Sequence, residues 1–183
     1  MIDNLLKEFE DLYRNPQRNA SPDTDAILVL TGDLEPAEED ILRVKSALDI
    51  LATLDHNVLV FYSGMTEERD EKIALMEGLG IPKHLIRFQD CGRLGSANTK
   101  TQFEYWVNDP QTNGFRNLAI VTSTFHIPRT KRTAGKFLPD ETSFSIIGNP
   151  LDWKVRNTLL IVLEEIKKII QYSEKGDILE RPR

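Results

Sequence analysis

NLAIVTSTFHIPRTKR, residues 117–132, is the stretch whose reading decides the fold. Its apolar run Leu118–Val121 stops at three hydroxyls, Thr122, Ser123 and Thr124, and Ile127-Pro128-Arg129 then opens a helix. The spacing predicts a strand, a polar turn and a helix start. Proline suits the first turn of a helix because its missing N–H would have no partner there, and the unpaired N–H groups of that turn attract anions.

The same succession recurs on either side. Asp25–Leu30 (DAILVL) is uniformly apolar, as a strand covered on both faces must be, and it ends at Thr31-Gly32-Asp33. Ile41, Val44, Leu48, Leu51 and Ala52 recur at helical spacing, and acidic residues crowd the first turn, so a helix is expected over Glu35–Leu54. Asn57–Tyr62 (NVLVFY) reads as a second strand, ended by Ser63-Gly64 and followed by a helix over Glu67–Leu79 that Gly80 closes. A shorter strand, His84–Phe88, leads through a polar loop to a helix from Asn98-Thr99 to Asn108. Thr142–Ile147 is the fifth strand. An amphipathic helix over residues 2–14 precedes the first strand, and Trp153–Tyr172 forms a long final helix with a frayed tail at 173–183. Strands alternating with helices predict an α/β fold, a parallel sheet with helices on both faces. One domain is expected, with residues 1–22 as helix and linker, 25–150 as core and 153–172 as C-terminal helix.

Composition narrows the function classes. A chain of 183 residues, 40% hydrophobic, closes one substantial core. The single Cys91 rules out an internal disulfide framework and a cysteine zinc site, which fits a reducing cytoplasmic setting. No apolar run reaches the ~20 residues of a membrane helix, and acidic residues in the N-terminal helix exclude a signal peptide, so a soluble protein without a membrane partner is expected. A net charge of −6 argues against a nucleic-acid partner. Arg129, Lys131, Arg132 and Lys136 form a local basic cluster suited to a small anion, although the last three read equally well as a solvated helix face.

In open parallel sheets all strand-to-helix turns lie on one edge, and ligands bind where the strand order reverses. With the order 3-2-1-4-5, Thr31-Gly32-Asp33 stands beside Thr122-Ser123-Thr124-Phe125-His126, flanked by Ser63-Gly64 and by the loop before Asn98-Thr99. Gly32 and Gly64 admit a ligand close to the backbone, and Ser63, Thr99 and Ser123 offer hydroxyls. Ser63, Asn98 and Thr124 serve equally well as helix caps. His126 and Arg129, three apart on a helix, share a face; the first exchanges a proton near neutral pH and the second holds an oxyanion bidentately. Asp33 is the remaining acid, base or cation ligand. Arg43 reaches the same edge or pairs with Glu39 four residues earlier.

The ordered set DAILVLTGD, Arg43 with Ala47, VFYSG, GLGIP, SANT and IVTSTFHIPR resembles the bacterial YdcF/SanA/ElyC-like family over roughly residues 25–147. The resemblance implies a Rossmann-like three-layer sandwich on a five-stranded, mostly parallel sheet. It implies site positions at Gly32, Arg43, Ser63, Gly64, Asn98, Thr99, Thr122, Ser123, His126 and Arg129. The chain departs from the pattern at Thr31 and Met65, where the family has glycine, and at Thr101 and Gln102, where Glu and Asn are usual. The expectation is a small-molecule-binding protein with an anion or phosphate pocket for a phosphorylated or nucleotide-like ligand. It takes the form of a phosphate-ester hydrolase with His126 or Asp33 moving the proton, or of a non-catalytic S-adenosylmethionine or nucleotide binding module. No cofactor or metal is assigned. Self-association into a homodimer through the apolar final helix is compatible with both.

Overall fold

β1 (Ala26–Leu30), β2 (Leu59–Gly64), β3 (Ile86–Asp90), β4 (Asn117–Ser123) and β5 (Ser143–Asn149) form one all-parallel sheet in the order β3-β2-β1-β4-β5 in a computed structural model of the chain. The structure describes residues 2–15, 19–31, 37–149, 158–180 and 182. Between the strands run α2 (Ala37–Thr53), α3 (Arg69–Leu79), α4 (Thr99–Asn108) and α5 (Ile127–Phe137), with α1 (Ile2–Arg14) before and α6 (Thr158–Glu174) after them. The architecture is the expected Rossmann-like three-layer sandwich.

Successive side chains of a strand leave on opposite faces, and each face has its own core. Ile27, Val29, Val60, Tyr62, Ala119, Val121 and Ile147 pack on one side against Val44, Ala47 and Ile50 of α2 and Met76 of α3. On the other, Leu28, Leu30, Phe61, Leu118, Ile120 and Ile146 meet Phe103 and Trp106 of α4 and Ile127 and Ala134 of α5. At about 25 cal/mol per Å² of apolar surface, these layers supply the main driving force for folding. A third cluster joins Leu5 and Phe9 of α1 to Phe125 and to Val162, Ile166 and Ile169 of α6. Gly80 closes α3 at φ 105, a left-handed conformation that suits glycine.

Three differences from the sequence reading concern boundaries. Strands run on into their polar ends: Ser63 pairs with Gln89 and Gly64 with Asp90 in the β2–β3 ladder, and Thr122 with Gly148 and Ser123 with Asn149 in the β4–β5 ladder. Thr122 and Ser123 are therefore strand residues, and the turn after them is the single 3-10 turn Thr124–His126. The third strand lies at Ile86–Asp90 instead of 84–88, because His84 belongs to a 3-10 turn over Lys83–Leu85. The tail is not frayed throughout: α6 continues to Glu174, Ile178 is buried in the third cluster, and Asp177 pairs with Lys100 of α4 at 2.8 Å. The expected starts of the second helix at Glu35 and of the last at Trp153 lie outside the described residues. No helix among the described residues is long and apolar enough to cross a membrane.

Candidate ligand site at the C-terminal edge of the sheet

β1 and β4 are neighbours whose connections leave toward opposite faces, so the strand order reverses between them. Ser123, the last residue of β4, follows Val121 onto the α2 face. There the guanidinium of Arg43 meets it: Nη2 donates to Ser123 Oγ at 2.6 Å, and Nη1 donates to the Leu30 carbonyl at the end of β1 at 2.8 Å. Arg43 is fully buried because α2 turns its 43–47–50 face to the sheet, and it bridges the two strands at the point of reversal. Glu39, one turn earlier, accepts the Ser123 hydroxyl proton in a hydrogen bond and lies 3.6 Å from Arg43 Nη2. Asp40 lies 3.7 Å from Nη1 and binds Lys72 of α3 at 2.8 Å. Thus Arg43 meets Glu39, as its spacing allowed, and also reaches the sheet edge.

Beside Ser123 in the ladder stands Asn149, fully buried, with neither its amide nitrogen nor its amide oxygen in a hydrogen bond. Its main-chain carbonyl accepts from Thr124 Oγ1 at 2.5 Å, so Thr124 ties the turn to β5 and does not cap a helix.

The opposite face holds the other expected residues. Ser63 Oγ lies 3.0 Å from Cys91 Sγ, and burial, partly offset by that hydrogen bond, pushes the thiol up to about 11. Gln102 of α4 donates to the carbonyls of Thr31 at 3.3 Å and Ser63 at 3.1 Å. These two bonds fasten α4 to the ends of β1 and β2. Asn98 caps α4, its Oδ1 accepting from Thr101 N at 3.1 Å. Thr122 is buried on this face, and Gly64 ends β2 in ordinary extended structure, outside the glycines with positive φ.

His126 and Arg129 do share a face, with Arg129 Nη2 2.8 Å from His126 Nδ1, and both turn toward α6. Arg129 Nε donates to Glu165 Oε2 at 2.9 Å, and His126 Nδ1 lies 3.2 Å from the same oxygen. With Nδ1 protonated the ring donates to Glu165; with it bare, the ring accepts from Arg129. Thr99 Oγ1 accepts from Arg129 Nη1 at 3.3 Å, completing a knot between α4, α5 and α6. The side chain of Glu165 is only 2% exposed. Burial works against its charge, but the hydrogen bond and charge of His126, with Arg129 and Lys168, bring its carboxyl down to about 2.

The sequence reading missed Glu165 and Asn149, and it named Glu39 only as a partner of Arg43. Glu165 could have been found as an acidic residue on the buried 162–166–169 stripe. Asn149 carries no signal once the strand is ended at Ile147. Arg132 is neither an anion ligand nor solvated: it is buried and grips Glu8 of α1 at 2.8 and 3.2 Å. Gly32 and Asp33 lie outside the described residues. Two grooves elsewhere, of about 630 Å³ between α1, α5 and β5 and about 440 Å³ at the opposite sheet edge, are lined by none of the expected turn residues, although Lys131 of the basic cluster borders the first. Comparison with family models, with curated proteins and with solved structures finds no match.

Proposed function

We propose that the protein binds a small oxyanion, a phosphate ester or nucleotide-like molecule, at the C-terminal edge of the sheet where β1 and β4 part. One observation carries this reading: Ser123 and Arg43 already hold a carboxylate there, that of Glu39, whose side chain is 18% exposed. A hydroxyl and a guanidinium arranged around a carboxylate oxygen form a seat that a phosphate oxygen also fits. The incoming anion would take the place of Glu39, with Arg43 neutralising it and Ser123 donating to it. The fold supports the location, since open parallel sheets bind ligands at such reversal points. The resemblance to the YdcF/SanA/ElyC-like family supports it through Arg43 and Ser123.

Hydrolysis of a phosphate ester is the catalytic form of this reading, with His126 or Asp33 moving the proton. Non-catalytic binding of S-adenosylmethionine is the second reading. It is favoured by the partly exposed carboxylate of Glu39, which would pair with the ligand's cationic groups. A thermal-shift series with inorganic phosphate, sugar phosphates, nucleotides and S-adenosylmethionine separates them. Stabilisation by phosphates, lost in Ser123→Ala, supports the first; stabilisation by S-adenosylmethionine alone supports the second; no shift with any of them overturns both. Turnover of a phosphate-ester panel that is unchanged in His126→Ala removes His126 from the chemistry.

The single buried Cys91 supports a reducing, cytoplasmic setting. Exposed Leu160 and Leu163 of α6, with Ile2 and Leu6 of α1, would form the face of a homodimer, which sedimentation velocity reads directly.

A further inference from the structure

Asn149 presents a buried polar group with nothing to bind. Its amide can donate through Nδ2 and accept through Oδ1, yet both atoms lie out of contact with solvent and neither has a hydrogen-bond partner. Folded chains pair almost all such groups, because burying an unpaired amide forfeits its bonds to water. An exception beside a ligand seat points to a partner that arrives with the ligand. The register fixes where: Asn149 is the ladder neighbour of Ser123. Ile147 and Val121, two residues before each, both pack against α2. The side chains of Asn149 and Ser123 therefore leave the sheet on the α2 face, one strand spacing apart, about 4.8 Å.

That spacing selects the chemistry. An oxyanion on Ser123 and Arg43 places its phosphorus one bond beyond the oxygen they hold, so a group that meets Asn149 lies within a few atoms of the ester oxygen. A nucleobase is too far along a nucleotide to do so. Hydroxyls on the carbons next to the ester are near enough, and a vicinal pair matches the amide, one hydroxyl donating to Oδ1 and the other accepting from Nδ2. We infer that Asn149 is a specificity-determining residue that reads a hydroxyl pair beside the phosphate, so that the ligand class is a phosphorylated polyol or a sugar phosphate. The inference rests on the oxyanion seat proposed above and adds to it the identity of the carbon skeleton.

The test compares glycerol 3-phosphate with propyl phosphate, which has the same three-carbon chain and lacks the hydroxyls, and with inorganic phosphate. Affinities are measured by calorimetric titration on the wild-type chain, on Asn149→Leu and on Asn149→Ala, the last adding no bulk. Two neutral hydrogen bonds gained give the wild type a preference for glycerol 3-phosphate over propyl phosphate on the order of tenfold. Both variants lose that preference and keep the wild-type affinity for inorganic phosphate. Without ligand, Asn149→Leu melts no lower than wild type, because an unpaired buried amide is replaced by an apolar group of similar size. Equal binding of the two esters by the wild type, or a preference that survives in both variants, overturns the role of Asn149 and leaves the seat in place. Failure of the wild type to bind inorganic phosphate or either ester overturns the seat and the inference together.

Discussion

Replacing Glu165 with glutamine removes the charge on which Arg129 and His126 converge while keeping the shape of the side chain. A carboxyl at about 2 in the folded chain, against an ordinary 4.5, is stabilised in its charged form. At about 1.4 kcal/mol per tenfold shift in the proton equilibrium, this amounts to about 3 kcal/mol. That agrees with the 3–5 kcal/mol typical of breaking a buried ion pair from one side. The sign follows from the direction of the shift. The folded value lies below the unfolded one, so the stabilisation is fully present above about pH 4.5 and disappears as the pH falls toward 2. For a chain of this length each kcal/mol moves Tm by roughly 2–4 °C, so Glu165→Gln melts about 10 °C lower at neutral pH. The assay is differential scanning calorimetry of both proteins from neutral pH down to the acid limit of folding. The gap in Tm narrows through the window from about 4.5 to 2. A variant that melts with the wild type at neutral pH refutes the reasoning, as does a gap that stays constant through that window.

Glu39→Gln keeps a hydrogen-bonding partner for Ser123 and removes the charge that competes for Arg43. Affinity for inorganic phosphate, measured by titration, rises by about tenfold as one like charge leaves the site, and unchanged affinity contradicts a seat occupied by Glu39. A methyl group at Gly148 would stand 2.5 Å from Thr124 Oγ1 and 2.9 Å from both Ile127 Cδ1 and Thr124 Cα. Gly148→Ala therefore destabilises by about 1–3 kcal/mol in urea titration through overpacking, while an unchanged midpoint shows that the turn yields freely. Cys91, buried with its thiol pushed up to about 11, reacts with iodoacetamide at mildly alkaline pH on the order of a hundredfold more slowly in the folded chain than in urea, from the thiolate fraction alone. Equal rates exclude that environment.

The layers of the fold were legible because β1, β2 and β4 are built on continuous apolar runs and several helices carry their own start or stop signals. Gly80 after α3 and Pro128 in the first turn of α5 are such signals. Strand ends were not legible. Ser63, Gln89, Ser123 and Asn149 look like loop residues, yet the backbone ladder of a parallel sheet continues through any residue except proline, and neighbouring strands hold them in register. Of the site, the pairing of His126 with Arg129 could be read from their spacing, but their common partner comes from α6, and helical spacing says nothing about contacts between helices. The grip of Arg43 on Ser123 spans 80 residues, and spacing alone offered the sheet edge only as an alternative to a pairing with Glu39.

That the strands overrun their apolar stretches bears on how the molecule opens. Local unfolding starts where backbone bonds are few and exposed, and amides at the centre of a sheet exchange with solvent only in large or global openings. Ser123 on the inner strand β4 and Asn149 on the edge strand β5 stand in register in one ladder, so their hydrogen exchange should follow that of Val121 and Ile147 more closely than that of a loop. In the proposed seat a ligand would thus rest on strand ends already held in register, and displacement of the Glu39 side chain would admit it without any prior ordering of those ends.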